Sequence, residues 1–265
     1  MQSPFFSIIV AAYNAEATIA FTIQSVLCQK FEDFEIIVKD GGSKDNTLEC
    51  IPKSDKIKVY SSADGGIYEG MNEGIAYASG KYFCFLNCGD IFADENVLTS
   101  FWNLSKEYKN TKRILYGDYS RKGVLFKQPS VITSFYLYRT PLCHQSMFFG
   151  RELFEELGGY DTTYRILADY NHTLHAFTIG IPFVYCNVPV CDYLGGGASE
   201  SPKGVELKKS EFEKIQNLYY TKSQRRKYDF KIFLSFKDLR QKLISDKSPK
   251  WVRKLYRKVV NLVNK

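Results

Sequence analysis

The stretch "KYFCFLNCGD" (residues 81–90) decides the fold of this chain. Its apolar residues are almost continuous, which is typical of a strand buried on both faces of a parallel sheet. The strand leads directly into a short polar segment that ends at Asp90. A buried carboxylate must be paired, hydrogen-bonded or bound to a metal ion, because desolvating it alone is very costly. The alternative for Asp90 is a helix cap before "ENVL", but Asp94 fills that role better.

The rest of the first hundred residues alternates between strands and helices. We expect strands at Phe6–Ala11, Glu35–Val38 and Lys56–Tyr60, and helical stretches at Glu16–Gln29 and after Asp45. This order predicts an α/β domain with a mostly parallel central sheet, helices on both faces, and ligands beyond the carboxyl ends of the strands. The loops at those ends read "AYNAE" (12–16), "KDGGSKDNT" (39–47), "SSADGGIYEGMNEG" (61–74) and "NCGD" (87–90).

The pattern is looser after residue 94. We expect helices at 95–108, 151–157 and 169–178, strands at 114–116 and 183–188, and a glycine-rich loop "GGGAS" at 195–199. Beyond Ser201 the composition shifts to Lys, Glu and long helix-forming residues. We therefore predict one domain over residues 1–200, with halves at 1–94 and 95–200, and a basic helical appendage over 201–265.

Composition limits the class of protein. With 265 residues, 45% of them hydrophobic, the chain can bury a sizeable core, and disorder is not expected. The seven cysteines show no zinc-binding spacing, which suits a reducing cytoplasm. The amino terminus has no basic segment, and its apolar stretch ends at Asn14, too early for a signal or membrane-spanning segment.

The positive charge is concentrated in the carboxyl-terminal segment. Residues 222–265 carry 15 Lys and Arg against 3 Asp, whereas residues 1–221 carry a net charge of −5. In "PKWVRKLYRKVVNLVNK" (249–265) the apolar residues fall on one side of a helical wheel and the basic ones on the other. This pattern favours an anionic membrane surface. A helix packed on the core or on a partner chain is the alternative, and a nucleic-acid arm is not expected.

Several separate motifs carry a family resemblance. They are "SIIVAAYNAE" (7–16), "DGGSKDNT" (40–47), "DGGIYEGMNEGIAYASGKYFCFLNCGD" (64–90), "HQSMFF" (144–149) and "LADYNHTLH" (167–175). In this order they resemble the family-2 glycosyltransferases with the Rossmann-like GT-A fold, the bacterial enzymes of polysaccharide, O-antigen and capsule assembly. The resemblance spans about residues 5–200.

The resemblance implies roles for the strand-end loops. It assigns the nucleotide-sugar donor to Ala12, Tyr13, Asn14, Asp40, Gly41, Asp64, Gly65, Asn72, Asn87 and Asp90. Asp40 would recognise the nucleobase of the donor, although its segment also has the composition of an ordinary strand-to-helix loop. Asp90 would hold a divalent cation, Mn²⁺ or Mg²⁺, and Asn87 stands where the family's metal motif commonly begins with Asp.

The second acid implied by the resemblance is Asp169, which matches the family's catalytic base. Its position at a helix start also suits a cap for the first backbone N–H groups. His144 and Gln145 would line the substrate pocket, and Gly196 and Gly197 belong to a mobile loop that could fold over the diphosphate through backbone N–H groups.

The function implied is an inverting transfer of a hexose or N-acetylhexosamine from a nucleotide diphosphate sugar, most readily a UDP-sugar. The acceptor would be a glycan on a polyprenyl-diphosphate lipid, and the enzyme a cytoplasmic protein bound peripherally to the inner face of the cytoplasmic membrane. Two alternatives stay open. A sugar-nucleotide nucleotidyltransferase would need a basic glycine-rich loop where "AAYNAE" stands, and a non-catalytic binding protein would not need Asp40, Asp90 and Asp169 together.

Overall fold

A computed structural model describes residues 3–235, together with residues 251 and 254. These residues form two compact units. The larger unit takes in residues 3–132 and 142–212, and the smaller takes in residues 133–141 and the described residues from 213 onward. All of the strands described below belong to the larger unit.

One mixed sheet forms the centre of the larger unit. Its strands are β1 (Phe6–Ala12), β2 (Phe34–Asp40), β3 (Ile57–Ser61), β4 (Tyr82–Asn87), β5 (Ile91–Phe92), β6 (Ile114–Arg121), β7 (Val124–Phe126), β8 (Met147–Gly150) and β9 (Phe183–Tyr193). Their spatial order is β3-β2-β1-β4-β8-β6-β9-β5, with β7 on β6. The first four strands are parallel, β8 is antiparallel to β4 and β6, and β9 runs parallel to β6. The "KYFCFLN" strand is therefore an inner strand, as its apolar run predicts.

Helices cover both faces of this sheet. The helices of the described residues, some of which belong to the smaller unit, are α1 (Ile19–Leu27), α2 (Ile67–Tyr77), α3 (Val97–Ser105), α4 (Ser134–Arg139), α5 (Arg151–Leu157), α6 (Ala168–Thr178), α7 (Pro202–Tyr219) and α8 (Lys222–Ser235). On one face Ile8 packs in a single cluster with Ile23 of α1 and Phe101 of α3. On the other face a Cβ atom added to Gly74 of α2 would lie 2.6 Å from Cγ2 of Ile9. Side chains that alternate along β1 thus contact helices on opposite faces, which confirms the predicted α/β layering.

The helical stretch predicted after Asp45 is wrong. Residues 44–51 form bends and turns, with one i→i−4 hydrogen bond from the Cys50 N–H to the Asn46 carbonyl at 3.1 Å and one i→i−3 bond from the Ile51 N–H to the Leu48 carbonyl at 3.3 Å. Pro52 follows directly and disfavours continuation of a helix. The Asp45 carboxylate instead accepts the N–H groups of Thr47 and Glu16, each at 3.1 Å, so it ties this turn to the loop after β1.

Strand β9 extends to Tyr193, five residues past its predicted end at Val188. The pairing with β6 continues past Pro189 through an irregular register between Tyr116 and Tyr119. A bulge accommodates a proline within a sheet, which explains why the sequence pattern placed the end of the strand too early.

In the smaller unit α4 and α8 share aromatic and polar contacts. The Tyr138 hydroxyl donates to Oδ1 of Asp229 at 2.6 Å, and the Tyr220 hydroxyl donates to the carbonyl of Ser134 at 3.1 Å. The amphipathic segment predicted at 249–265 lies outside the described residues, except for residues 251 and 254. None of the described helices has the length and apolar content that a bilayer crossing requires.

Candidate active site

The loops after β1 and β2 are bound to each other. The Gly41 N–H donates to the carbonyl of Ala12 at 2.8 Å, and the Asn14 N–H donates to Oγ of Ser43 at 2.8 Å. Asn14 adopts a left-handed backbone with φ of 47°, a conformation that Asn tolerates better than most residues. Tyr13, between these anchors, is 63% exposed. The structure thus brings the predicted residues Ala12, Asn14 and Gly41 together.

The Asp40 side chain orders its own loop. It is fully buried, and its carboxylate accepts the Ser61 hydroxyl at 2.7 Å, the Ser43 hydroxyl at 2.5 Å and the Gly42 N–H at 3.0 Å. Burial acts to raise the pKa of Asp40, but the bonds from Ser43 and Ser61 outweigh it and lower the pKa overall. Both carboxylate oxygens are therefore bonded within the protein, and Asp40 is an ionised organiser of the loop.

Asp64 is held beside this loop by a lysine that the sequence analysis did not identify. Lys39 is fully buried in β2, and its ammonium group lies 3.2 Å from Oδ2 of Asp64 and 2.8 Å from the carbonyl of Ser62. A Cβ atom added to Gly41 would come within 2.9 Å of the same carboxylate oxygen. The one signal in the sequence is a lysine directly after the apolar residues 36–38 of β2, since a buried ammonium needs such partners.

Asn72 and Gly65 bond to other segments. The Asn72 side chain donates to the carbonyl of Tyr160 at 2.8 Å and accepts the Tyr160 N–H at 2.7 Å, so its amide holds that backbone in place. The Gly65 N–H donates to Oε2 of Glu69 at 2.7 Å. These bonds give Asn72 a role in fixing the backbone at Tyr160.

Asp90 is 2% exposed and takes its hydrogen bonds from two distant segments. The side-chain amide of Gln145 donates to Oδ2 at 2.8 Å, and the Leu194 N–H donates to Oδ1 at 3.0 Å. Burial raises the pKa of Asp90, and these two bonds offset only part of that rise. Both donors are neutral groups, so Asp90 has hydrogen bonds without a directly bonded cation.

Asp169 has a different environment. It is the second residue of α6; its Oδ2 accepts from Nδ1 of His144 at 2.9 Å, and its Oδ1 lies 2.8 Å from the Tyr68 hydroxyl. Burial acts to raise the pKa of Asp169, but the bond and charge of His144 and the bond from Tyr68 lower it overall. Burial and the Asp169 charge in turn raise the pKa of Tyr68 well above its usual value, so this hydroxyl stays protonated as a donor.

One short 3₁₀ helix (His144–Ser146) joins the two acids. Its first residue binds Asp169 and its second binds Asp90. With Nδ1–H donated to Asp169, Nε2 of His144 faces the Asn87 amide nitrogen at 3.4 Å. Asn87, Asp90, His144, Gln145 and Asp169 therefore form one connected group at the end of β4. Tyr68 also belongs to this group through Asp169. The only signal for it in the sequence is its place four residues after Asp64 in the predicted loop 61–74.

The residues around Asp90 offer few ligands to a metal ion. Within the described part of the chain, no cluster of three or more His, Cys, Asp or Glu side chains could hold a metal ion. Asp90 supplies one carboxylate, and Oδ1 of Asn87 in the same turn is buried with no hydrogen-bond partner. Mg²⁺ binds through one or two carboxylates and takes further oxygens from phosphates and water. These residues fit such an ion only together with a phosphate-bearing ligand.

The glycine-rich loop starts at the Asp90 site and is held at its far end by Glu200. Gly195 and Gly196 have φ values of 78° and 80°, a region that glycine adopts without strain. The Gly196 N–H donates to Oε2 of Glu200 at 3.1 Å, and Arg121 donates to Oε1 of Glu200 at 2.6 Å. Gly197 has open space around the position of a Cβ atom. The predicted loop residues thus lie next to Leu194, the residue bound to Asp90.

The family model for glycosyl transferase family 2 matches residues 7–153, more than half of the chain. The chain belongs to this family. A PGL/p-HBAD biosynthesis glycosyltransferase of Mycobacterium bovis is 29% identical over 184 residues, 67% of this chain and 72% of that protein. An uncharacterized glycosyltransferase of Mycobacterium tuberculosis is 29% identical over 221 residues, 77% of this chain and 81% of that protein. Of the classes left open by the sequence, the family match selects a glycosyltransferase.

Solved structures agree on the fold. TarS of S. aureus (residues 1–349) in complex with UDP-GlcNAc has a TM-score of 0.63 at 17% identity, covering 92% of this chain and 76% of that one. The longer TarS structure has a TM-score of 0.64, and the match covers only 46% of its length. A mannosyltransferase from Pyrobaculum calidifontis with GDP-Man and Mn²⁺ has a TM-score of 0.56 at 16% identity, covering 99% of this chain and 70% of that one. The predicted GT-A fold of this glycosyltransferase is confirmed.

The Tyr68 hydroxyl provides a first test of the connected group. We expect Tyr68→Phe to lower the transfer rate about tenfold, because a lost hydrogen bond to a charged group is worth about 1.5–3 kcal/mol and Asp169 loses one of its two side-chain partners. Tyr77→Phe removes a hydroxyl from the exposed end of the same helix and serves as the control. Steady-state rates that are equal for wild type and both variants would contradict this role for Tyr68.

Proposed function

We propose that this glycosyltransferase moves a hexose or N-acetylhexosamine, with inversion, from a UDP-sugar to a glycan acceptor carried on a polyprenyl-diphosphate lipid. The observation that carries the proposal is the 3₁₀ helix that links Asp90 to Asp169 through adjacent residues. Inverting transfer needs a base at the acceptor hydroxyl and stabilisation of the departing diphosphate on the opposite side of the sugar. One connected group with two separate acids suits that division.

On the acceptor side Asp169 takes the proton of the attacking hydroxyl. Its lowered pKa keeps it ionised at neutral pH, and its bonds to His144 and Tyr68 fix the direction of the carboxylate. A base must lie within hydrogen-bond reach of the proton that it removes, so a fixed carboxylate favours one acceptor geometry. His144 acts here as a substrate-site residue that orients Asp169.

On the donor side Asp90 and Asn87 would hold Mn²⁺ or Mg²⁺ together with the diphosphate oxygens. A bound divalent cation supplies charge neutralisation for the leaving diphosphate. The N–H groups of the loop after Leu194 can add hydrogen bonds to the same phosphates when the loop closes, and Gly195 and Gly196 give its backbone the freedom to do so. The loops that contain Tyr13, Asp40 and Asp64 would hold the nucleoside.

The choice of UDP is supported by likeness to TarS, whose structures contain UDP and UDP-GlcNAc. The mannosyltransferase bound to GDP-Man and Mn²⁺ supports a nucleotide-diphosphate-sugar donor and a divalent cation, although its nucleotide carries a different nucleobase. A lipid-linked acceptor, and a role in surface polysaccharide such as O-antigen or capsule, are supported by the motif resemblance and by the basic carboxyl-terminal segment. We propose a peripheral position on the cytoplasmic face of the membrane.

The base is tested with Asp169→Asn. We expect the transfer rate to fall by about 10²–10⁴, the usual contribution of general base catalysis, while donor affinity changes little. The assay follows nucleotide release and lipid-product mass with a panel of UDP- and GDP-sugars and polyprenyl-diphosphate glycans. Asp55→Asn, at an exposed acid, is the control. Wild-type turnover in Asp169→Asn would remove Asp169 as the base.

The cation is tested by chelation and with Asp90→Asn. We expect thorough EDTA treatment to abolish transfer, and added Mn²⁺ to restore it in the wild type and in the exposed control Asp94→Asn. In Asp90→Asn, Mn²⁺ should no longer tighten donor binding in calorimetry, because the one carboxylate of the site is gone. Full activity after EDTA treatment would refute the metal role.

Membrane attachment is tested by removing residues 236–265, which carry ten Lys and Arg against two Asp, while keeping α8 intact. We expect the full chain to sediment with vesicles that contain phosphatidylglycerol and the shortened chain to stay in solution, because basic residues near an anionic surface contribute about 1 kcal/mol each. Vesicles of phosphatidylcholine alone are the control. Equal binding of both chains to the anionic vesicles would place the membrane contact elsewhere.

A further inference from the structure

We propose that Glu211, on α7, is a positioning residue that sets the location of Asp169. The inference rests on the proposed function, in which Asp169 is the base. Helix α6 begins at Ala168, and its N-cap residue is Leu167, whose side chain makes no capping hydrogen bond. Helices usually start with Ser, Thr, Asp or Asn, which satisfy the free N–H groups there. The N-cap residue of α6 therefore supplies no side-chain acceptor to the helix start.

The Glu211 carboxylate binds the segment that leads into α6. Oε1 accepts the N–H of Arg165 at 2.7 Å, and Oε2 accepts the N–H groups of Ile166 at 3.0 Å and Leu167 at 2.9 Å. The side chain is 3% exposed. Three successive backbone N–H groups that converge on one anion form a nest, and hydrogen bonds to a charged acceptor are the strong ones. The segment that enters α6 is thereby fixed from outside the helix.

The next residue of α7 holds the other side of Asp169. The Phe212 ring is stacked on the ring of Tyr170, with centroids 5.1 Å apart and planes at 13°. Glu211 thus contacts the three residues that end two positions before Asp169, and Phe212 contacts the residue immediately after it. Adjacent residues of one helix therefore contact the chain on both sides of the acid, Glu211 through the backbone and Phe212 through a side chain.

The same entering segment carries two contacts to the site. The carbonyl of Ile166 lies 2.8 Å from the Tyr68 hydroxyl, the group that also contacts Asp169. Arg165 donates from its guanidinium to the carbonyl of Gly65 at 2.6 Å, next to the predicted donor residue Asp64. The Arg165 bond to Gly65 lies at an exposed position, whereas a shift of residues 165–167 would move the Ile166 carbonyl and disturb the part-buried contact between Tyr68 and Asp169. Loss of Glu211 should therefore act on the chemical step more than on donor binding.

A purely structural cap would give a different result. It would lower thermal stability and the amount of active enzyme without a selective effect on turnover, and its effect would be independent of Asp169. A positioning residue lowers kcat at nearly constant donor KM, and its effect disappears once the base is gone, because residues that act as a unit are not additive. The two roles can be separated by kinetics.

The experiment compares Glu211→Gln and Glu211→Ala with Glu206→Gln, an exposed glutamate on the same helix. A glutamine oxygen can accept only part of the three N–H bonds, so it should have an intermediate effect. We expect kcat to fall about tenfold for Glu211→Gln and about 100-fold for Glu211→Ala, the loss typical of a misplaced catalytic group, with donor KM within about twofold. Glu206→Gln should match wild type. If Glu211→Ala does not fold, Glu211→Gln carries the test.

The decisive comparison repeats Glu211→Gln in the Asp169→Asn background. We expect no further loss of kcat there. A second tenfold loss, or unchanged kcat in Glu211→Gln alone while Asp169→Asn is inactive, would overturn the positioning role and leave the proposed function intact. Wild-type turnover in Asp169→Asn itself would instead overturn the base assignment, and the inference about Glu211 with it.

Discussion

The buried carboxylate at the end of β4 is the constraint on which the site depends. Asp90 cannot lie at the tip of an inner strand without donors, and those donors come from residues 55 and 104 positions further along the chain. Gln145 fixes the 3₁₀ helix against the parallel strands, and this helix presents His144 to Asp169. Leu194 fixes the end of β9 and the start of the glycine-rich loop. The hydrogen bonds of Asp90 thus bring two segments of the later half of the chain, at Gln145 and Leu194, to the carboxyl end of β4.

The features that the sequence predicted well are local ones. The inner strand β4, the parallel strands before it and the α/β class follow from apolar runs and their spacing. The helix after Asp45 was wrong because Asp and Thr serve turns as well as helix caps, and the carboxylate of Asp45 went to the loop after β1. His144, Gln145, Asp90 and Asp169 were chosen separately, and their mutual bonding became visible only in three dimensions.

The residues that the sequence did not reveal act through tertiary contacts. Glu211 lies in a Lys- and Glu-rich helix, where a glutamate normally faces solvent, and nothing nearby in sequence marks it as buried. Lys39 departs from the apolar pattern of β2, but the partners that stabilise its buried charge, the Ser62 carbonyl and Asp64, lie in a loop more than twenty residues away. Asn72 matched a family motif, yet its amide is bonded to Tyr160. A side chain that stabilises a distant segment of backbone does not change the hydrophobic periodicity from which secondary structure is predicted.

The two acids of the site differ in how their charge is balanced, although they are joined through adjacent residues. Asp169 bonds to His144, a group that can itself become positive, and to a phenol, so its pKa is lowered despite burial. Asp90 bonds to an amide and a backbone N–H, and its pKa is raised because neutral donors do not replace the lost solvation of a full charge. Environments that push two pKa values apart separate an acid that can act alone from one that needs added positive charge. The groups that stabilise the negative charge of Asp169 all belong to the protein, whereas full stabilisation of the Asp90 charge depends on what binds there.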